Sequence, residues 1–310
     1  MKTRTKAALA GSAFFTGVTA VRALGGRRRA HEVVRRDLLQ RRLRPAPPGE
    51  YRLSVIVPAY HEERIGKTVR TLRDELREIA ETGGLEIVVV DDGSHDGTPE
   101  LAEQAGADQV IRQPVNRGKG AAVRAGMLAA RGRTMAFTDA DLSYSPDQVM
   151  GLLRQVEAGW DVVVGSRMHD ETTTLVRAGR LREIGGRAIN MLTKFVLLGE
   201  HRDTQCGLKA FRADVARLIF SHSHVDGFAF DVEVYHLVER YHLSLTEVAV
   251  TVENSNRSTV HVARDAARLV RDLFRIRRWA VVGVYDLGPG EKLPGTIAPI
   301  APIGPAAGVA

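Results

Sequence analysis

Leu53-Ser-Val-Ile-Val57 runs directly into Pro58-Ala59-Tyr60-His61-Glu62-Glu63. The first five residues are almost wholly apolar and do not alternate with polar ones, as expected of a strand buried on both faces. A polar turn and a helical pattern over 62–80 follow. The same unit recurs along the chain. Ile87–Val90, Met135–Thr138 and Val162–Val164 are further β-branched-rich runs, and helical patterns occupy 97–105, 118–131 and 146–157. Pro99 and Pro146 stand near helix starts, where proline is tolerated, and Gly83-Gly84 and Gly159 mark helix exits. Repeated strand–helix units predict an α/β domain: a mainly parallel, Rossmann-like sheet with right-handed crossovers and helices on both faces. Ligands of such sheets bind beyond the carboxyl ends of the strands.

The chain has 310 residues, of which 44% are hydrophobic and 26% charged, a composition that supports a real core. Its net charge of +7 arises from 44 basic and 37 acidic residues, so it is no polycation, and no nucleic-acid partner is expected. A moderate basic excess suits phosphate-rich ligands or an anionic membrane surface, and also occurs in proteins with neither. The single cysteine, Cys206, excludes an internal disulfide and points to a reducing compartment. It is better explained as a packed apolar residue than as a nucleophile.

Four segments follow from composition. In residues 1–50, Lys2, Arg4 and Lys6 precede the apolar stretch Ala7–Leu24, which Arg22 interrupts and Arg27–Arg29 close. That stretch is short beside the roughly 20 apolar residues of a membrane span. An uncleaved anchor or interfacial segment and a plain surface helix both fit. Pro45, Pro47, Pro48 and Gly49 make a linker. Residues 51–255 carry the strand–helix units. Within 256–287, Val262, Ala266, Leu269, Val270, Leu273 and Phe274 recur at helical spacing beside a stripe of Arg264, Arg268, Arg271 and Arg275. This is the pattern of an interfacial membrane helix, and equally of a helix packed on the domain with a solvated basic face. Residues 288–310 are rich in Pro, Gly and Ala, and disorder is expected there.

The expected strand ends concentrate acid. One leads to Asp91-Asp92-Gly93-Ser94, another to Asp139-Ala140-Asp141, and a third to Gly165-Ser166-Arg167. Like charges held close raise one another's pKa, so such a cluster is costly unless a cation neutralises it. Asp139 and Asp141, with water and pyrophosphate oxygens, suit Mg²⁺ or Mn²⁺. Alternatively Asp141 caps a helix and Asp139 sits in a turn. Asp91 and Asp92 can form an Asx-turn while one of them accepts hydrogen bonds from a base or ribose. Asn116-Arg117-Gly118-Lys119-Gly120 opens the helix over 118–131, where glycines let backbone approach a ligand and a helix start favours anions. His222 and His224 lack carboxylate or cysteine company at ligand spacing and are expected to be surface residues.

Ser54-Val-Ile-Val-Pro-Ala-Tyr-His-Glu-Glu63, Val90-Asp-Asp-Gly-Ser-His-Asp-Gly-Thr98, Asn116-Arg-Gly-Lys-Gly120 and Thr138-Asp-Ala-Asp-Leu-Ser143 resemble the inverting family 2 glycosyltransferases of GT-A fold. Asp203-Thr-Gln-Cys-Gly-Leu-Lys-Ala-Phe-Arg212 and Gly227-Phe-Ala-Phe-Asp-Val-Glu233 resemble the dolichyl-phosphate β-glucosyltransferase branch. The resemblance implies a UDP-sugar donor, with glucose as the sugar, and a polyprenyl phosphate acceptor. It also implies a cell-membrane enzyme whose catalytic domain faces the cytoplasm. The donor would be held by Pro58, Ala59, Tyr60, Glu62, Asp91, Asp92, Gly118, Lys119, Asp139 and Ala140. A phosphate monoester has a second pKa near 6 and needs no strong base, but two anionic groups must be brought together. Arg167, then Lys209 and Arg212, are the candidate cations, and Asp203 is the candidate base or acceptor orienter. Asp231 and Glu233 pair with arginines near the acceptor or cap their helix, and 167–184 reads as a loop that orders on substrate binding.

Rival readings are weaker. A soluble enzyme of the same fold with a saccharide or small-alcohol acceptor would make 7–24 and 261–284 ordinary packing helices. A nucleotidyltransferase would want a Gly-rich phosphate loop after the first strand, where Pro58-Ala-Tyr-His-Glu stands. A non-enzymatic sugar-nucleotide binder could lose a metal carboxylate, and none is missing. No Gly-x-Gly-x-x-Gly follows the first strand, which disfavours a dehydrogenase.

Overall fold

The structure, a computed structural model, describes residues 44–167, 172–174, 205–252, 262–291 and 293–294. From Pro45 onward these residues belong to one compact unit. The segment Ala7–Leu24, most of the loop 167–184, and Asp203 lie outside the described residues.

The sheet contains β1 (Tyr51–Ala59), β2 (Leu85–Asp91), β3 (Gln109–Arg112), β4 (Gly132–Phe137), β5 (Val162–Ser166), β7 (Lys209–Arg212) and β8 (Leu245–Ala249). Their spatial order is β3-β2-β1-β4-β7-β5-β8. β1 pairs in parallel with β2 and β4, β2 with β3, and β5 with β8. Only β7, inserted between β4 and β5, runs antiparallel to its neighbours. A small second sheet pairs β6 (Thr173–Thr174) with β9 (Thr251–Val252). The expected mainly parallel sheet is present, and the four apolar runs are four of its seven strands, β1, β2, β4 and β5.

The helices are α1 (Ile65–Glu75), α2 (Arg77–Glu81), α3 (Thr98–Gln104), α4 (Lys119–Ala129), α5 (Gln148–Glu157), α6 (Ala213–His222), α7 (Phe230–Arg240) and α8 (Val262–Val281). The single helix expected over 62–80 is divided at Leu76 (φ −100°, ψ 23°). The pleat sends alternate residues of β1 to opposite faces. Leu53, Val55 and Val57 pack in a layer with Ile65, Val69 and Leu72 of α1 and Leu152 and Leu153 of α5. Ile56 packs on the other face with Val123 and Met127 of α4, Ile219 of α6, Leu237 of α7 and Leu273 of α8. Each such fully buried aliphatic side chain contributes about 1.5–3 kcal/mol. Gly288–Glu291, expected to be disordered, form a turn, and Glu291 pairs with His222 at 3.2 Å.

Candidate active site

β1, β2, β4 and β5 all point their carboxyl ends to one edge, and every acidic strand end lies there. Asp91 ends β2 and is buried; its Oδ2 accepts from Ser94 N at 3.1 Å, three residues on rather than the two of an Asx-turn, and so holds the bend through Gly93. Its Oδ1 is buried without a hydrogen-bond partner. Ser166, the last residue of β5, likewise has a buried, unpartnered Oγ. Among the described residues a third such atom, His236 Nε2, lies on α7. Buried polar groups are normally satisfied, so these two atoms leave unused hydrogen-bonding capacity at the ends of two strands on this edge.

Asp92 holds the loop beside it. Its Oδ1 and Oδ2 accept from Arg117 N at 2.9 Å and Gly118 N at 2.8 Å. Burial pushes the Asp92 carboxyl up, and those two N–H donors pull the other way. Gly118 has φ +118°, and a Cβ there would lie 2.6 Å from Asp226 O. Only glycine fits, on both backbone and steric grounds. The loop thereby delivers Lys119, whose Nζ donates to Asp139 Oδ1 at 2.5 Å. Burial would lower the Lys119 ammonium, but the Asp139, Asp231 and Asp141 carboxylates outweigh it and hold it above the usual lysine value.

Asp139 and Asp141 leave β4 on a bend. Leu142 N donates to Asp139 O at 3.3 Å, and Leu142 adopts φ +53°, costly for a branched residue. Asp141 Oδ1 accepts from Ser143 N and Ser143 Oγ at 3.0 and 2.8 Å. Ala140 O accepts from Thr68 Oγ1 at 2.6 Å, tying the bend to α1. Among the described residues no three His, Cys, Asp or Glu side chains gather into an all-protein metal cage. Two carboxylates do fit Mg²⁺ or Mn²⁺, which are bound through one or two carboxylates plus substrate phosphates. The fit has a local sign: at Asp139 a cation is already required, and the Lys119 ammonium supplies it.

The remaining expected donor residues line the same edge. Pro58 and Ala59 close β1, and Ala59 O accepts from Asp92 N at 2.9 Å. Tyr60 is 47% exposed and stacks on His61 with centroids 4.1 Å apart. Glu62 is engaged by Arg64 at 3.0 Å. Arg167 is exposed in the turn after β5, and its charge acts on Tyr144.

The acceptor cations separate. Lys209 is fully buried, neither open to an acceptor nor on a solvated edge; its Nζ donates to Asp231 Oδ1 at 2.6 Å and Cys206 O at 2.7 Å. Arg212 is at the opposite edge of the sheet, bound to Asp214 at 2.9 Å and Pro45 O at 2.6 Å. The antiparallel direction of β7 separates them: Lys209 pairs in register with Phe137 and Arg212 with Thr134. Among the described residues Asp231 and Glu233, both in the first turn of α7, form no ion pair with arginine, the first of the two roles expected of them. Asp231 neutralises Lys209, and Glu233 accepts from His224 N, Val225 N and Tyr285 Oη. His224 is exposed and His222 partly so.

Gly207 was not singled out by sequence, which offers no signal for it beyond the quoted Cys206-Gly207 motif. A Cβ there would collide with the Asp139 carboxylate. Gly207→Ala should therefore displace Asp139 and lower turnover about a hundredfold, the cost of an ångström-scale misplacement. Circular dichroism should remain native, and turnover near that of the parent would show that Asp139 tolerates the shift.

This fold and edge define a GT-A glycosyltransferase. The chain belongs to glycosyl transferase family 2, whose family model matches residues 54–220. It is 35% identical over 259 residues to dolichyl-phosphate beta-glucosyltransferase of Drosophila melanogaster, covering 77% of this chain and 78% of that one. To the Homo sapiens dolichyl-phosphate beta-glucosyltransferase it is 31% identical, covering 78% and 79%. Among solved structures, Mycobacterium tuberculosis glucosyl-3-phosphoglycerate synthase in complex with Mn²⁺, UDP and phosphoglyceric acid matches with TM-score 0.54 at 22% identity, covering 78% and 81%.

Proposed function

We propose that the protein transfers glucose from UDP-glucose to a polyprenyl phosphate of dolichyl type, giving a β-linked lipid-phosphate sugar. The observation that supports the reaction at this edge is the pair of orphaned polar atoms, Asp91 Oδ1 and Ser166 Oγ, flanking the Asp139–Asp141 bend. The relatives named for this activity, 35% identical in the first case, support the sugar and the lipid.

In this reading Asp91 Oδ1 accepts from the uracil or ribose of the donor, and the loop 116–118 approaches the nucleotide through glycine backbone. Asp139 and Asp141 would hold Mg²⁺ or Mn²⁺, which when bound stabilises the charge developing on the β-phosphate of departing UDP. Lys119 Nζ, 2.5 Å from Asp139 Oδ1, would donate to a donor phosphate where Asp139 serves as a metal ligand. The acceptor phosphate oxygen attacks the anomeric carbon on the face opposite UDP. The new C–O bond forms as the bond to the β-phosphate oxygen breaks, with inversion and with no proton to remove. Arg167, exposed beside that path, offsets the repulsion between the two anionic groups. The same reading sets the enzyme at a cell membrane with this domain on the cytoplasmic side, in keeping with its single, buried cysteine.

The test uses membranes bearing the protein, polyprenyl phosphate and labelled UDP-glucose, UDP-N-acetylglucosamine or GDP-mannose. Label from UDP-glucose should pass into the lipid fraction. If no donor labels the lipid, the acceptor is wrong; if only another donor does, the sugar is wrong.

A further inference from the structure

α8 has two unlike sides. Leu269, Leu273 and Ile276 are buried against the domain, and Asp272 lies with them at 7% exposure. The other side leaves Phe274 61% and Val281 81% exposed, and Val282 beyond the helix end 62%. At about 100° per residue, Phe274 and Val281 point within about 20° of one another. Arg271 and Arg278 then fall within about 60° on one flank, and Arg277 about 60° away on the other. Arg268 and Arg275 lie further round, and Arg275 rests over the Trp279 ring at 5.3 Å. Between 267 and 281 the helix carries five arginines and one acid. That acid, Asp272, is buried and takes Arg271 at 3.3 Å and Arg275 at 3.5 Å, so one carboxylate stands against five guanidinium groups.

α8 also lies close to the catalytic edge. A Cβ on Gly227 would be 3.7 Å from Asp272 Oδ2, and the preceding Asp226 O packs against Gly118, next to Lys119. The turn Asp226-Gly227 thus lies between the middle of the helix and the start of α4, where Ala121 N donates to Asp226 O at 3.1 Å.

We propose that this face of α8 docks on an anionic lipid bilayer, with Phe274, Val281 and Val282 entering the interface and the flanking arginines meeting lipid phosphates. An apolar strip bordered by arginine is the composition an interfacial helix needs. Charge complementarity selects an anionic surface. Nucleic acid would use the arginines but leave the apolar strip in water, and a second copy would bring arginine against arginine. Among the described residues no helix is long and apolar enough to cross a membrane, so α8 lies on the surface. Docking there holds the catalytic edge at the depth of lipid phosphates, and so the proposal rests on the lipid-phosphate acceptor reading.

The experiment places a polarity-sensitive thiol probe on the full chain through Val281→Cys; Cys206 is fully buried and does not compete. Phosphatidylcholine vesicles containing phosphatidylglycerol should shift the probe to an apolar signature, and pure phosphatidylcholine should do so much more weakly. Each arginine near an anionic surface is worth about a fivefold gain in partitioning, so adding Arg271→Glu, Arg277→Glu and Arg278→Glu should weaken the shift about a hundredfold or more. The probe reports on α8 whether or not another segment anchors the chain. No shift, an equal shift on neutral vesicles, an undiminished shift in the charge-reversed variant, a shift with RNA alone, or one that grows with protein concentration without lipid would each overturn the proposal. Glucosyl transfer to a water-soluble short-chain prenyl phosphate should be unchanged in all variants, which verifies their folding. A lost probe shift with that transfer intact removes the docking surface alone; an intact shift with no transfer by the parent removes the acceptor reading.

Discussion

Asp141→Asn should lower turnover about a thousandfold, roughly 4 kcal/mol in the barrier, and leave the unfolding midpoint almost unmoved. The two halves of this expectation have separate causes. An amide keeps a carbonyl oxygen where Asp141 Oδ1 now accepts from Ser143 N and Ser143 Oγ, so the bend with its positive-φ Leu142 can persist. What disappears is the charge. A neutral Asn is a poor ligand for a hard divalent ion, and the leaving pyrophosphate would lose its stabilisation. Turnover at saturating UDP-glucose, Mn²⁺ affinity and thermal unfolding measured together check the claim. Near-normal turnover would refute metal ligation by Asp141, whereas a large fall in midpoint would mean that the residue serves the bend.

Lys209→Met should destabilise the fold by about 3–5 kcal/mol, the largest stability effect expected of a single substitution here. Lys209 and Asp231 form a buried pair at 2.6 Å with side-chain exposures of 0% and 7%. Burial raises the Asp231 carboxyl pKa, and Lys209 is the foremost of the groups opposing it. Without that ammonium Asp231 must either stay charged in an apolar site or bind a proton to fold. Cys206 O would also lose a donor, and it belongs to the turn that sets Gly207 against Asp139. Turnover should therefore fall as well. The double variant Lys209→Met, Asp231→Leu should recover most of the stability, because apolar residues of similar volume can replace a buried pair at little cost. Denaturant midpoints of the parent, both single variants and the double variant test this; equal loss in the single and double variants would mean that the pair's charge is not what stabilises the site.

Much of the fold was legible because its central strands are buried on both faces. Such strands need continuous apolar residues, and Leu53–Val57, Ile87–Val90, Met135–Thr138 and Val162–Val164 stand out for that reason. Edge and inserted strands carry no such signal. β3 reads Gln-Val-Ile-Arg, β7 Lys-Ala-Phe-Arg and β8 is only half-buried along its length, so periodicity gave none of them away. The positions of Asp91, Asp92, Asp139 and Asp141 at one edge followed from the parallel rule, since residues after parallel strands share an edge whatever lies between.

Residues 51–59 and the runs that repeat their pattern determined the parallel sheet and its acidic edge, because buried strands and polar strand ends are written in local composition. Tertiary structure alone decided the partners. Four residues of β7 cannot show their own direction, so Lys209 and Arg212 looked alike in sequence and lie at opposite edges of the sheet. Lys119 and Asp139, 20 residues apart, meet at 2.5 Å because β4 and the loop held by Asp92 end at the same height. Asp91 acquired an unpartnered oxygen only once the surrounding chain had closed over it. Local sequence sets which strands form and what stands at their ends; which charges then neutralise one another depends on distances that exist only in the folded chain.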